Sequence, residues 1–287
     1  MERVKDPDYH DDLQLNYVFF RHPQEQPPNT VAAHVARISS KMPRLPKLSP
    51  EIVAKAIYEL DTLGLGCNEG DIRKFCNTYL FPKGAGGRRL LSSENTNIAR
   101  HLVPNNPVVR SVVSRPRPEL LYGYPTTDFA WDQSITLSNL HPQINNYAKA
   151  ATKLFLPFFT VEFKAAAGTG GSLWVAANQC AGASAACIKA VNQVNTRLGD
   201  AGCIRRIHNV CYSLAIDNNL AQLFKKDKEG NLSFYIQRVD CFLLLNPEQF
   251  SRLHQWAMAI LHWGQGERLR QIRFALDYIQ SEQQMAE

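Results

Sequence analysis

The sequence predicts an α/β protein whose central sheet is covered by helices on both faces. Three observations carry that expectation: an almost wholly apolar run at residues 157–164, a long alanine-rich segment at 172–198, and further strand-like runs beyond it. A run that is apolar at successive positions has no face suited to water, so it reads as a central strand buried on both sides. The small side chains Ala176, Ala177, Ala181, Ala183, Ala185, Ala186 and Ala190 allow the following helix to lie close against that sheet.

The 287 residues, 45% hydrophobic and 20% charged, suit one large domain or two small ones. Residues 1–105 read as a helical and irregular N-terminal extension packing on a core at 106–287 that ends in two helices. Within the extension, Ser49-Pro50-Glu51 starts a helix with serine as N-cap and proline in the first turn, and Gly64 ends it. A second helix is expected over 71–80 and a third over 93–101, closed off by Pro104 and Pro107. Residues 83–89 are a basic, glycine-rich loop, because their glycines do not suit an element interior. From residue 108 the texture changes. Residues 108–114 are rich in valine, and 119–124 follow Pro118, which is tolerated at a strand start. A helix over 142–154 comes next, then the apolar strand, the turn Gly168-Thr169-Gly170-Gly171 and the alanine-rich helix. Strands are expected at 206–216 and 232–245, with 220–224 between them, and helices at 247–263 and 267–280.

Composition excludes several functional classes. No apolar run approaches the roughly 18 residues of a membrane span, since the best, 154–163, contains Pro157 and stops at Lys164. Asp6, Asp8, Asp11, Asp12 and Arg21 interrupt the stretch where a signal peptide would be apolar, so an intracellular, nuclear or cytoplasmic location without a signal peptide is expected. The seven cysteines are odd in number, widely spaced and never CxxC, which fits reduced thiols and not a zinc site. Net charge is +6, and residues 83–118 carry seven basic residues against the single acid Glu94, leaving the rest of the chain neutral. Such a concentration suits the phosphate backbone of nucleic acid. Lys83, Arg88, Arg89, Arg115 and Arg117 are the expected contacts.

The anomaly is a pair of charges, Glu162 and Lys164, in the most apolar strand. The strand period of two puts both on one face. Desolvating a carboxylate and an ammonium costs several kcal/mol each unless they are paired or bind an ion. An acid-x-Lys triplet is by itself weak, since composition alone yields about one; the flanking Phe159, Val161 and Phe163 give it weight. Glu119 opens the preceding strand, and pairing of the two strands would bring it toward Glu162. Two carboxylates and the Phe163 carbonyl would form an all-oxygen site of the kind that hard Mg²⁺ prefers. A lysine beside it could hold or help deprotonate an attacking water and neutralise charge on a phosphate.

Pro118-Glu119, 42 residues, then Glu162-Phe163-Lys164 resembles the signature of the PD-(D/E)xK nuclease superfamily. The stretches 115–124, 157–164, 178–183 and 263–269 are similar to the PD-(D/E)xK nuclease-like domain of uncharacterised fungal proteins, over about 108–276. The resemblance implies a three-layer sandwich with a restriction-endonuclease-like core ordered α, β, β, β, α, β. It implies Glu119 and Glu162 as ligands of Mg²⁺ (or Mn²⁺), Lys164 as catalytic lysine, and Gln179 as a glutamine that orients lysine or phosphate. It also implies DNA as substrate. Glu119 departs from the aspartate common after the proline and is one methylene longer. A degenerate homologue that binds nucleic acid or a protein partner, as a fungal effector or conflict protein, is therefore the alternative. Related nucleases often add a helix-borne acid before the first core strand. Glu94 is the candidate here, with Glu59 and Glu51 competing.

Other features carry less. Asp128 offers an alternative metal ligand, although it and Asp132 suit surface turns. The eight histidines show no metal spacing, and the glycine turn at 168–171 is not followed by GK[ST], which excludes a P-loop.

Overall fold

The structure, a computed structural model, describes residues 2–22, 24–81, 90–141, 143–165, 172–229 and 233–286. Its centre is an eight-stranded mixed sheet formed by β1 (Val18–Phe20), β2 (Leu91–Glu94), β3 (Leu120–Tyr124), β4 (Lys149–Ala151), β5 (Leu154–Phe163), β6 (Val210–Ile216), β7 (Leu220–Glu229) and β8 (Ser233–Leu243). The spatial order is β1-β8-β7-β6-β5-β3-β2, with β4 pairing β5 off this path. All ten residues of β5 are buried, as expected of a strand with no wet face.

β5 and β6 run parallel, joined through α6 (Leu173–Asp200), because parallel neighbours need a crossover and cannot share a hairpin. Helix α6 packs on one face of β5 and β6. There Cys180 lies against Thr160 and Glu162. The opposite face carries Phe159, Tyr122 and Tyr212. Phe159 meets Phe81, just beyond α4 (Glu69–Tyr79), and Tyr212 meets His34 of α2 (Asn29–Ser39). Helix α3 (Pro50–Gly64) packs on α4 and on α7 (Pro247–Trp263) in this second layer. The fold is thus a three-layer α/β sandwich.

The C-terminal helices connect the two outer layers. A π-helical turn at Gly264–Arg268 joins α7 to α8 (Leu269–Ala286), which packs on α5 (Trp131–Ser138) and α6. Tyr124 donates its hydroxyl to the Gly264 carbonyl at 2.7 Å, and a Cβ on Gly264 would overlap the Phe158 ring, so only glycine lets the helix approach β5 this closely. The two terminal helices expected from the sequence form one continuous helical segment through this turn.

Several local expectations are corrected. Residues 1–105 contribute β1 and β2 to the same sheet, and their buried side chains belong to one continuous core with the rest. β1 is only three residues long, too short to show alternation, and pairs with β8 in parallel. The helix expected over 93–101 is β2 followed by a 3₁₀ turn at Arg100–Leu102. The valine-rich 108–114 is irregular, and in place of a helix over 142–154 the chain forms β4 and the start of β5. Two residues in this last stretch, Asn146 and Lys153, take positive φ (55° and 59°), which a helix does not permit.

Candidate active site

Strand register brings the two acids together. β3 and β5 pair antiparallel with Leu120 opposite Val161, so one step further Glu119 comes alongside Glu162. The Glu119 backbone N–H donates to the Glu162 carboxylate. Glu162 is 1% exposed, and its second oxygen, Oε2, is buried without a hydrogen-bond partner. Burial pushes its carboxyl well above the usual range; Lys164 opposes this, while Glu119 and Glu69 add to it.

Lys164 continues the ladder, its N–H donating to Ile216 at 2.8 Å, and it is buried. Its ammonium donates to the Phe163 carbonyl at 2.9 Å and pairs with Glu69 at 3.1 Å. Glu119 is partly buried and pairs with Arg73 of α4 at 3.3 Å. Burial raises the Glu119 carboxyl, opposed by Arg73, Lys164 and Arg117. Helix α4 therefore supplies an acid for the lysine and a cation for the strand acid.

Glu69 is the residue the sequence reading missed. It is the first residue of α4, fixed there by a capping box: Asn68 Oδ1 accepts the Gly70 and Asp71 N–H groups, and Asp71 accepts the Asn68 N–H at 3.0 Å. A helix expected over 71–80 puts Glu69 in a loop, whereas α4 begins at Glu69. The Asn68-x-x-Asp71 spacing was the available signal. Glu94, the helix-borne candidate, is instead an exposed strand residue opposite Leu120. Glu59 accepts the Tyr79 hydroxyl at 2.8 Å, and Glu51 lies exposed at the start of α3. Asp128 follows the far end of β3, and its carbonyl accepts from Arg273.

The remaining expected residues divide into three groups. Gln179 lies on α6, half-buried, with its Oε1 buried and unpartnered beside a small cavity that also touches Pro116 and Arg117. Arg115 and Arg117 are exposed, and each donates Nε to a backbone carbonyl at 2.7 Å, of Ile98 and Asn95 respectively. Lys83, Arg88, Arg89 and the glycine turn at 168–171 lie outside the described residues.

The donor set is all oxygen, and its unpartnered, buried carboxylate oxygen is a position where a hard cation would relieve desolvation. Among the described residues, no group of three or more His, Cys, Asp or Glu side chains is placed to hold a metal ion. The oxygens that could do so are two carboxylates and a carbonyl, and Lys164 and Arg73 presently neutralise part of that set. Among the described residues, no helix is long and apolar enough to cross a membrane.

No curated protein and no solved structure matches the chain. Residues 66–276, which contain Glu69, Glu119, Glu162, Lys164 and Gln179, match the family described as a domain of unknown function, DUF7924, and the chain belongs to that family.

Proposed function

We propose that this chain is a PD-(D/E)xK nuclease-like phosphodiester hydrolase acting on DNA with Mg²⁺ or Mn²⁺. The observation that carries the reading is the buried Glu162 carboxylate, one oxygen unpartnered, held by strand register beside Glu119 and Lys164. A fold that keeps such a group desolvated is storing a cost that a bound cation removes. With α5 and β4 taken as an insertion between β3 and β5, the remaining elements α4, β2, β3, β5, α6, β6 follow the order α, β, β, β, α, β implied by the sequence resemblance, which supports a restriction-endonuclease-like core.

In this reading Glu119, Glu162 and the Phe163 carbonyl would hold the metal. When bound, the metal polarises the phosphate and lowers the pKa of a water. Lys164 holds the attacking water and stabilises negative charge at the phosphorus, with Glu69 fixing its ammonium. Water attacks phosphorus, giving up a proton to solvent, and the P–O bond to the leaving sugar oxygen breaks. That oxygen takes up a proton, giving a phosphate monoester and an alcohol. Gln179 orients a phosphate oxygen, and Arg115 and Arg117 attract the backbone. A nuclear or cytoplasmic location, where such a substrate is met, belongs to the same proposal.

A second reading, a non-cutting binding module, is favoured by the contacts of Lys164 with the Phe163 carbonyl and of Arg73 with Glu119, which occupy oxygens a metal would need. Incubating supercoiled plasmid with the protein in Mg²⁺ or Mn²⁺ decides between them. The hydrolase reading requires nicking that is lost in Glu162→Ala and Lys164→Ala. Equal nicking by all three proteins removes it, and salt-sensitive DNA retention without nicking favours the binding module.

A further inference from the structure

A cavity of about 540 Å³ lies between the irregular segment 100–115 and the C-terminal half of α6, away from the acids. This volume is within the roughly 300–1,000 Å³ range of ligand clefts. Arg100, His101, Arg115 and Lys189 line it together with Val103 and Val113, and no carboxylate does. None of Arg100, Arg115 and Lys189 makes an ion pair among the described residues. Arg115 and Lys189 are held by carbonyls, which do not neutralise them: Arg115 Nε donates to the Ile98 carbonyl at 2.7 Å, and Lys189 Nζ to the Val103 carbonyl at 3.3 Å. His101 is anchored through Nε2 on the Tyr147 carbonyl at 2.9 Å. Desolvation depresses the Lys189 ammonium, the direction expected of a cation that lacks an anion.

We infer that this cavity binds a backbone phosphate of the same nucleic-acid strand whose scissile bond lies at Glu119 and Glu162. The inference rests on the nuclease-like reading and adds a second point of contact to it. Continuity favours a strand phosphate over a free one. Arg115 lines both this cavity and the small one at Gln179, which also contains Arg117, and Arg117 in turn acts on the Glu119 carboxylate. Gln179 and Lys189 are ten residues apart on α6, about 15 Å at the helical rise, which spans about four phosphates of one duplex strand. The guanidinium groups suit phosphate oxygens, and Val103 and Val113 offer an apolar wall to the adjoining sugar.

The test measures binding of a labelled DNA duplex by anisotropy in Mg²⁺, in a Glu162→Gln background that blocks turnover, across roughly 50 to 200 mM salt. Arg100→Gln, an exposed site, and Lys189→Met are compared with Lys55→Gln, an exposed control on α3. Losing one phosphate contact should weaken binding and make the slope of log K against log salt shallower by about 0.9. Each cavity variant should show this and Lys55→Gln should not. Cavity variants with unchanged affinity and slope overturn the inference while leaving plasmid nicking, and so the hydrolase reading, intact. Thermal stabilisation by inorganic phosphate that Arg100→Gln abolishes, with duplex binding unaltered, makes a free phosphate the occupant and also overturns it. Failure of the parent protein to bind duplex at all refutes the nucleic-acid reading and this inference together.

Discussion

Replacing Glu162 with glutamine should stabilise the protein in the absence of divalent metal, although the same change should abolish turnover. Glutamine keeps the shape and removes the charge that burial makes costly. The folded-state carboxyl is raised, so the folded protein holds a proton that the unfolded chain releases near its ordinary carboxylate pKa. Stability from this group is present below that pKa, falls as pH rises above it, and stops falling once pH passes the raised folded value. Within that window one proton corresponds to about 1.4 kcal/mol per pH unit. An unfolding entropy of about 2.1 cal/mol/K per residue gives roughly 0.6 kcal/mol/K for a chain of this length, so the melting temperature should fall by about 2 °C per pH unit. Differential scanning fluorimetry of wild type and Glu162→Gln from pH 5 to 8 measures the difference of slopes, and added Mg²⁺ should raise the wild-type curve only. Parallel profiles for the two proteins, with and without Mg²⁺, would refute the claim that a desolvated carboxylate is maintained at this position.

Other perturbations probe the support of the site. Glu69→Gln should leave the fold intact and reduce nicking about 10- to 100-fold, the range seen when a group that orients site residues is lost; an unchanged rate would deny it a positioning role. Asn68→Ala removes the capping box and should cost about 1 kcal/mol in urea denaturation, with a fall in nicking because Glu69 loses its fixed place at the helix start. Gly264→Ala forces a methyl into the Phe158 ring and should cost about 3 kcal/mol or prevent folding. Wild-type stability in that variant would mean that the π-helical turn is not pressed against β5.

The centre of the fold was legible because β5 and α6 carry long, strong patterns. The apolar run from Pro157 to Phe163 reads as a buried strand and the alanine-rich stretch as the helix packed on it, although the first residues of β5 were expected to end a helix. The edges were not legible. β1 and β2 are three and four residues long and depend on partners far along the chain, β8 and β3, for their existence. Residues 108–114 show the converse: valines that suggest a strand bury Val113 against Gly182 of α6 without any ladder partner. In the site, Glu119, Glu162 and Lys164 could be placed from strand period and pairing alone. Glu69 could not, because its contact with Lys164 joins residues 95 positions apart through the docking of α4. Lys189 was hidden for a similar reason. It lies on α6, outside the basic stretch at 83–118, and meets that stretch only in three dimensions.

The most direct test of the metal-dependent reading is an anomalous difference map from a crystal soaked in Mn²⁺. A peak between the Glu119 and Glu162 carboxylates, with the Lys164 ammonium moved off the Phe163 carbonyl, is the expected result. No peak there at saturating Mn²⁺, with Lys164 still donating to Phe163 and Glu69, would contradict it.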